Sequence, residues 1–111
     1  MPFTVVNAGL TTSHFAYGTI ASATGAAITA ELGFRPRYVK VMNVTGNCFM
    51  EWIQGMGDGY GQKTVDSGSG TTDVSTVTSG GITPAANGFS LGTDADINPN
   101  AAEALFFIAF G

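Results

Sequence analysis

Residues 38–53 read YVKVMNVTGNCFMEWI, in which two runs of β-branched and aromatic residues flank the triplet Thr45-Gly46-Asn47. Such runs favour strands, and a short Gly- and Asn-containing triplet between them is typical of a turn. The stretch therefore predicts a β-hairpin with the arms Tyr38–Val44 and Cys48–Ile53.

Both faces of this predicted hairpin carry apolar residues, because successive side chains of a strand point to opposite faces. In the first arm Tyr38, Lys40 and Met42 share one face and Val39 and Val41 the other; in the second arm Phe49, Glu51 and Ile53 oppose Cys48, Met50 and Trp52. Since Glu51 shares the face of Phe49 and Ile53, we expect that face to be mixed and near an edge or an interface.

The carboxyl-terminal run Ala104–Phe110 is apolar at every position. It shows no alternation, so a strand here needs cover on both faces. An antiparallel sheet normally leaves one face wet. The run therefore predicts a core on one face and a subunit contact or covering loop on the other.

The rest of the chain is cut into short pieces by 16 glycines with Thr and Ser around them, and no window of eleven residues has a helical apolar pattern. Weaker strands are predicted at Thr4–Asn7, Phe15–Ile20, Ala27–Glu31, Lys63–Val65, Val74–Thr78 and Phe89–Leu91, with surface loops at Gly55–Gly61 and Asp66–Asp73. We expect an all-β protein with little helix, a jelly-roll-like antiparallel β-sandwich. It forms a single domain over residues 1–111, with 1–14 a possible extended amino-terminal arm.

The composition favours assembly. Charged residues make up 11% of the 111 residues and apolar residues 44%, with a mean hydropathy of +0.22; soluble domains usually carry roughly 25% charged residues. A surface this poor in charge is expected where neighbouring chains cover part of it. The alternative is a compact monomer with a surface rich in Thr and Ser.

The net charge of −4 argues against nucleic acid as a partner, since phosphate binding needs a basic footprint. Three of the four cations, Arg35, Arg37 and Lys40, cluster within six residues. They either meet an acidic patch on a partner or are solvated charges at the start of a strand. No apolar stretch approaches the ~20 residues that span a bilayer, and no signal segment is recognisable. We therefore expect no membrane partner and a protein that is made and used in a cytoplasm-like compartment, or that leaves it only as part of a particle.

No motif for catalysis, a cofactor or a metal emerges. His14 is the only histidine, so a nucleophile would have no other histidine as its base, and Cys48 reads as a small buried hydrophobe. The loop Gly55–Gly61 fits no phosphate-binding motif. Residues 94–98 begin like a calcium loop, but Pro99 and Leu105 stand where that loop needs glycine and glutamate. We expect no enzyme.

Four motifs precede the aromatic strand at the carboxyl end: GFxPxxVxVxN at residues 33–43, EWxxGM at 51–56, GIT at 81–83 and GFxLGxDxDIN at 88–98. In this order they resemble small structural proteins of tailed bacteriophages, the capsid decoration or cement proteins and related fibre-knob modules. The resemblance covers residues 24–110. It implies a virion protein that binds the outside of a capsid shell as a homotrimer and stabilises it.

The same resemblance implies contacts with two partners, further copies of the chain and the major capsid protein. Oligomer or core contacts are expected at Trp52, Leu105, Phe106, Phe107, Ile108 and Phe110, and capsid contacts at Pro2, Phe3, Thr4, Val5, Val6, Arg35 and Arg37. The alternative is a tail-fibre knob that binds a receptor or carbohydrate through Tyr60, Trp52 or loop aspartates.

Overall fold

A computed structural model describes residues 14–20 and 23–111, together with the backbone of residues 3–6. Nine strands form: β1 (Phe3–Val6), β2 (Phe15–Ile20), β3 (Ile28–Glu31), β4 (Tyr38–Asn43), β5 (Cys48–Ile53), β6 (Tyr60–Asp66), β7 (Thr72–Ala85), β8 (Gly88–Leu91) and β9 (Leu105–Phe110). The described residues contain no helix. The prediction of an all-β antiparallel chain is therefore confirmed.

All nine strands join in one sheet with the order β1-β2-β9-β4-β5-β6-β7-β8-β3, and every pair is antiparallel. The sequence predicted the two separate sheets of a sandwich. Instead the hydrogen-bonded ladder is continuous, and the sheet curls into a nearly closed barrel. The twist of consecutive strands lets one sheet bury its own inner face in this way.

The predicted hairpin forms β4 and β5, which pair from Tyr38↔Ile53 to Asn43↔Cys48. Asn47 closes the turn with a φ of 55°, a left-handed conformation that asparagine tolerates better than most residues. The carboxyl-terminal strand β9 lies between β2 and β4. The two most apolar elements of the sequence are thus neighbours at the centre of one wall.

The core follows the alternation of the strands. Val39 and Val41 of β4, and Leu105 and Phe107 of β9, are at most 2% exposed. Phe107 meets Phe89 of β8 edge-on, with the ring centroids 5.6 Å apart. Since β8 and β9 are far apart in the strand order, this contact closes the barrel across its interior.

One strand is much longer than the sequence predicted. β7 has 14 residues, which span about 45 Å when extended, and the longest dimension of the molecule is 44 Å. A register shift between Tyr60 and Gly61 lets β7 pair first with β6 and then with β8. A side chain at Gly81 would collide with the carbonyl oxygens of Tyr60 and Gly59, so glycine is required for this passage.

The distal part of β6 and β7 forms an arm, residues 66–76, that we call the β6–β7 arm. Every residue in it is exposed. Residues 72–76 still pair with β6, and β6 pairs with β5 as far as Val65, so only the turn at residues 67–71 extends beyond the paired strands. Its tip is held by hydrogen bonds from the Ser67 amide and hydroxyl to the Thr71 carbonyl.

A loop of residues 92–104 folds over one end of the barrel, with Ile97 fully buried beneath it. Asn98 is also fully buried: its Oδ1 accepts the amides of Thr24 and Gly25, and its Nδ2 donates to the carbonyls of Ala26 and Gly92. The amide Nδ2 of Asn43 donates to the Glu103 carboxylate at 2.7 Å. These two asparagines tie the loop to the barrel.

Candidate functional site

The outer side of the wall formed by β2, β9, β4 and β5 is unusually apolar. We call this surface the aromatic face. Twelve side chains form it, and all but Thr19, Lys40 and Glu51 are apolar. The nine apolar ones are Phe15, Tyr17, Phe106, Ile108, Phe110, Tyr38, Met42, Phe49 and Ile53. All twelve are exposed or half-buried, in a surface where an antiparallel sheet would normally place polar residues.

Cross-strand pairing arranges these side chains in rows. One row runs Phe15–Phe110–Tyr38–Ile53 across the four strands. Within it the ring centroids of Phe15 and Phe110 are 5.0 Å apart, and those of Tyr38 and Phe110 are 5.8 Å apart. The rings therefore form a continuous aromatic ridge along one end of the face.

The charged groups of the face are held within it. Lys40 and Glu51 stand opposite each other on β4 and β5. The Lys40 Nζ lies 4.3 Å from the centroid of the Phe49 ring, and the Tyr38 hydroxyl donates to Glu51 Oε2 at 2.6 Å. A cation over an aromatic ring and a carboxylate bonded to a phenol leave little free charge on this surface.

Two grooves indent the face. A groove of about 450 Å³ is lined by Tyr17, Thr19, Met42, Phe106 and Ile108, together with backbone neighbours. A second groove of about 340 Å³ lies beside it, lined by Tyr38, Glu51, Trp52, Ile53, Met56 and Gln62. Grooves of this size accept the side chains of a partner, so the face is shaped as well as apolar.

The pKa of the Tyr38 hydroxyl is raised from 10.0 to about 12, by burial first and then by the hydrogen bond and the charge of Glu51. Because the folded state holds the proton more tightly, this contribution to stability is complete below pH 10.0 and is lost as the pH rises towards about 12. In an alkaline titration followed by phenolate absorbance, we expect one tyrosine to ionise near the upper value.

The variant Tyr38→Phe should lack that last ionisation step, whereas Tyr60→Phe, which removes another tyrosine, should retain it. Retention of the step in Tyr38→Phe would contradict the assignment.

The structure separates the predicted oligomer or core residues into two groups. Trp52, Leu105 and Phe107 lie in the core of the same chain, and the Trp52 indole donates to the Gly57 carbonyl. Phe106, Ile108 and Phe110 point to the aromatic face, where Phe106 is 38% and Phe110 42% exposed. Within residues 14–20 and 23–111, no loop covers this flank, and its outward side chains are exposed or half-buried.

The predicted capsid contacts are only partly described. Pro2 lies outside the described residues, and Phe3, Thr4, Val5 and Val6 form strand β1, which pairs with β2. The backbone alone does not test the prediction of an arm. Arg35 and Arg37 are both exposed and line a cleft at the end of the barrel wall.

The aspartates of the calcium-like stretch bind a lysine. Lys63 Nζ lies 3.0 Å from Asp94 Oδ2 and 2.6 Å from Asp96 Oδ2. Burial lowers the pKa of Lys63, but the hydrogen bonds to Asp96 and Asp94 outweigh it and hold that pKa above its ordinary value. Within residues 14–20 and 23–111, no group of three His, Cys, Asp or Glu side chains could hold a metal ion.

Cys48 is buried, and its Sγ donates to the Asp96 carbonyl. Burial, and then the charges of Asp96, Asp94 and Glu103, raise the pKa of the thiol to about 11. The thiolate is the reactive form of cysteine. Cys48 therefore acts as a packing residue, as its position in an apolar strand predicted.

Sequence reasoning missed several members of the aromatic face. Phe15 and Tyr17 of β2 were assigned to a weak strand, although they alternate with Ala16 and Gly18 in the way that an outward aromatic stripe requires. Their place beside β9 depends on a pairing that spans most of the chain. The alternation could have identified the outward residues of β2. The sequence contains no signal that β2 lies beside β9.

No protein-family model, curated protein or solved structure matches this chain. In the residues that the structure describes, no helix is long and apolar enough to cross a membrane.

Proposed function

We propose that this chain is a structural virion protein, a homotrimeric decoration or cement protein that binds the outside of a phage capsid shell and stabilises it. The exposed aromatic face carries this proposal, together with the resemblance of four sequence motifs. The resemblance implies a jelly-roll-like β-sandwich, in which two layers of strands face each other. The contact between Phe89 of β8 and Phe107 of β9 across the core supports such a two-layer packing within the curled sheet.

The size of the aromatic face supports its use as an interface. Four strands spaced by about 4.8 Å, each six residues long, give a surface of about 400 Å². Patches of that size on monomers are often functional, and a standard interface buries about 800 Å² per partner. The face thus fits the central part of a contact between copies, with a polar rim around it.

Self-association should depend on the outward aromatic rings of β9. In the double variant Phe106→Ser, Phe110→Ser we expect the association constant to fall at least 100-fold, since each ring contributes about 1.5–3 kcal/mol when buried. Light scattering and sedimentation velocity across a micromolar concentration series measure this.

Ala86→Ser is the matched control. Ala86 is exposed in the turn between β7 and β8, outside the four strands that carry the aromatic face, so this substitution should leave the mass of the assembly unchanged. A wild-type chain that stays monomeric at high micromolar concentration would count against the trimer.

Attachment to the shell is assigned to the amino-terminal segment Pro2–Val6, in line with the resemblance. A shell-bound trimer gains strength because several weak contacts act together. Electron microscopy of particles carrying a labelled copy should show label over the whole capsid surface. Label confined to the tail would support a fibre knob instead, and unlabelled particles would refute a virion role.

The second candidate is a carbohydrate-binding knob. One groove favours it, since Tyr38, Glu51 and Gln62 offer hydrogen-bonding groups beside apolar Ile53. Trp52, one of the residues expected to meet sugar, is only 3% exposed, while Tyr60 is 37% exposed. A glycan array with the purified protein tests this candidate, and an array without signals argues against it.

A further inference from the structure

Two arginines stand apart from the other charged groups of the chain. Of the four cations, Lys63 is bound by two aspartates and Lys40 lies over the Phe49 ring. In the described part of the chain, Arg35 and Arg37 have no carboxylate within 4.0 Å, and the remaining residues contain no Asp or Glu. In a chain with a net charge of −4, these two guanidinium groups remain available to a partner.

Both arginines line one cleft. Arg35 and Arg37 are exposed on either side of buried Pro36, so they project to the same side. The cleft measures about 380 Å³, and its other lining residues are His14, Phe34, Gln54 and Gly111. The His14 ring stacks on Phe34, with the centroids 5.5 Å apart and the planes inclined by 17°.

This cleft suits a carboxylate. Guanidinium groups bind carboxylates through paired N–H donors, and such bonds are stronger where the surroundings are partly apolar. The stacked rings of His14 and Phe34 provide such surroundings, and the Gln54 side chain adds a neutral polar group. The ligand class is therefore an acidic side chain carried on a projecting segment.

The chain itself carries such a segment. The β6–β7 arm is exposed throughout and bears Asp66 near its tip and Asp73 on the adjacent strand. Asp66 pairs with Thr72 and Asp73 with Val65, so the two side chains lie on opposite faces of the paired strands and only one of them can enter a given cleft. One oxygen of Asp66 accepts the Gly68 amide, which fixes the carboxylate at the tip. The arm carries no cation, so its charge is opposite to that of the cleft.

The arm and the cleft lie at opposite ends of the barrel. Val65 pairs with Cys48, and the Asp66 amide donates to the Asn47 carbonyl, which places the arm beside the β4–β5 turn. The cleft lies at the other end of the same strands, where Arg37 bonds to Phe110 and Gln54. The two charged sites of one chain therefore cannot meet, but those of two copies can.

We infer that the arginine cleft of one copy binds Asp66 at the tip of the β6–β7 arm of the next copy. Such a head-to-tail contact joins two different surfaces, and it closes into a ring when the rotation allows. The inference rests on the proposed homotrimer and names a contact within it. It reassigns Arg35 and Arg37 from the shell to a neighbouring copy.

The cleft also borders the aromatic ridge, because the Arg37 amide donates to the carbonyl of Phe110. A copy seated on the aromatic face would therefore have its charged contact beside its apolar one.

Charge reversal tests the contact. Arg35→Glu with Arg37→Glu, and separately Asp66→Arg, should each weaken self-association at least tenfold at low salt, since facing like charges are strongly unfavourable. The chain that carries all three substitutions should regain most of the wild-type association. Asp58→Arg, an equal charge change at an exposed site off the arm, should have no such effect.

Mass photometry and sedimentation velocity measure the association, and the neutral variants, Arg35→Gln with Arg37→Gln and separately Asp66→Asn, repeat the test with less perturbation of the fold. If only the arginine variants or only the Asp66 variants lost association, or if the triple variant did not regain it, the inference would be overturned. If the arginine variants assemble normally but no longer label the particle, the cleft binds the shell and the inference fails while the proposed function stands.

Discussion

Replacing Phe107 with alanine should lower the free energy of unfolding by about 3–5 kcal/mol, because a large core side chain leaves a cavity when it is truncated. Phe107 is 2% exposed and packs edge-on against Phe89, the contact that closes the barrel. Urea or guanidinium denaturation of the dilute protein measures the loss.

The neighbouring residue provides the control. Phe106 is also a phenylalanine of β9. Its side chain points to the aromatic face and is 38% exposed. Phe106→Ala should cost about 1 kcal/mol or less in the monomer, since substitutions away from the core have small effects. Its larger effect should appear in the mass of the assembly at higher concentration.

Two results would contradict this account. Equal losses of stability at Phe106 and Phe107 in the monomer would mean that both flanks of β9 are already buried in one chain, and the aromatic face would then not be available to partners. A larger loss at Phe106 would mean that β9 has the opposite register in the sheet, because a shift of one residue exchanges the two faces.

The strands of the hairpin could be predicted closely from the sequence. β4 and β5 combine β-branched and aromatic residues with a turn triplet, so local preference and burial agree. In each arm the predicted sharing of faces is also observed. The strand at the carboxyl end was predicted for the same reason.

The inward flank of β9 could not be predicted, because Leu105, Phe107 and Ala109 are no more apolar than Phe106, Ile108 and Phe110. The choice depends on β2 and β4, which pair with β9 from distant parts of the chain. The pattern of a single sequence contains no information about that pairing. For the same reason, the sequence could not show that the strands belong to one curled sheet and not to the two sheets of a sandwich.

The length of β7 was missed for a different reason. Gly80 and Gly81 resemble a turn between strands, yet they lie inside β7, where the register shift of β6 brings backbone too close for a side chain. Glycine in a strand can mark such a close approach as well as a turn. The exposed tip of the β6–β7 arm was predicted as the loop Asp66–Asp73, but the continuation of β7 through Gly80 and Gly81 was not.

Asn98 offers the second large effect, through hydrogen bonds instead of packing. We expect Asn98→Leu to lower the free energy of unfolding by about 3–5 kcal/mol, because leucine keeps the branch at Cγ but has no polar atoms and is larger than asparagine. The substitution leaves the amides of Thr24 and Gly25 and the carbonyls of Ala26 and Gly92 without their side-chain partner. An unsatisfied buried polar group costs about 1–3 kcal/mol, and some of the four groups will reach water.

Two further variants separate hydrogen bonding from side-chain volume. Asn98→Asp has nearly the volume of asparagine and keeps an acceptor for the amides of Thr24 and Gly25, but it sets a carboxylate oxygen against the carbonyls of Ala26 and Gly92. It should therefore also be less stable than wild type, and it should recover stability as the pH falls and the buried carboxyl group takes up a proton. Asn100→Ala, at an exposed neighbouring position, should stay within about 0.5 kcal/mol of wild type. Amide hydrogen exchange at Thr24 and Gly25 should accelerate in Asn98→Leu far more than in Asn98→Asp. If Asn98→Leu were as stable as wild type, the loop of residues 92–104 would be held by the burial of Ile97 alone, and the two asparagines would be incidental to the closed end of the barrel.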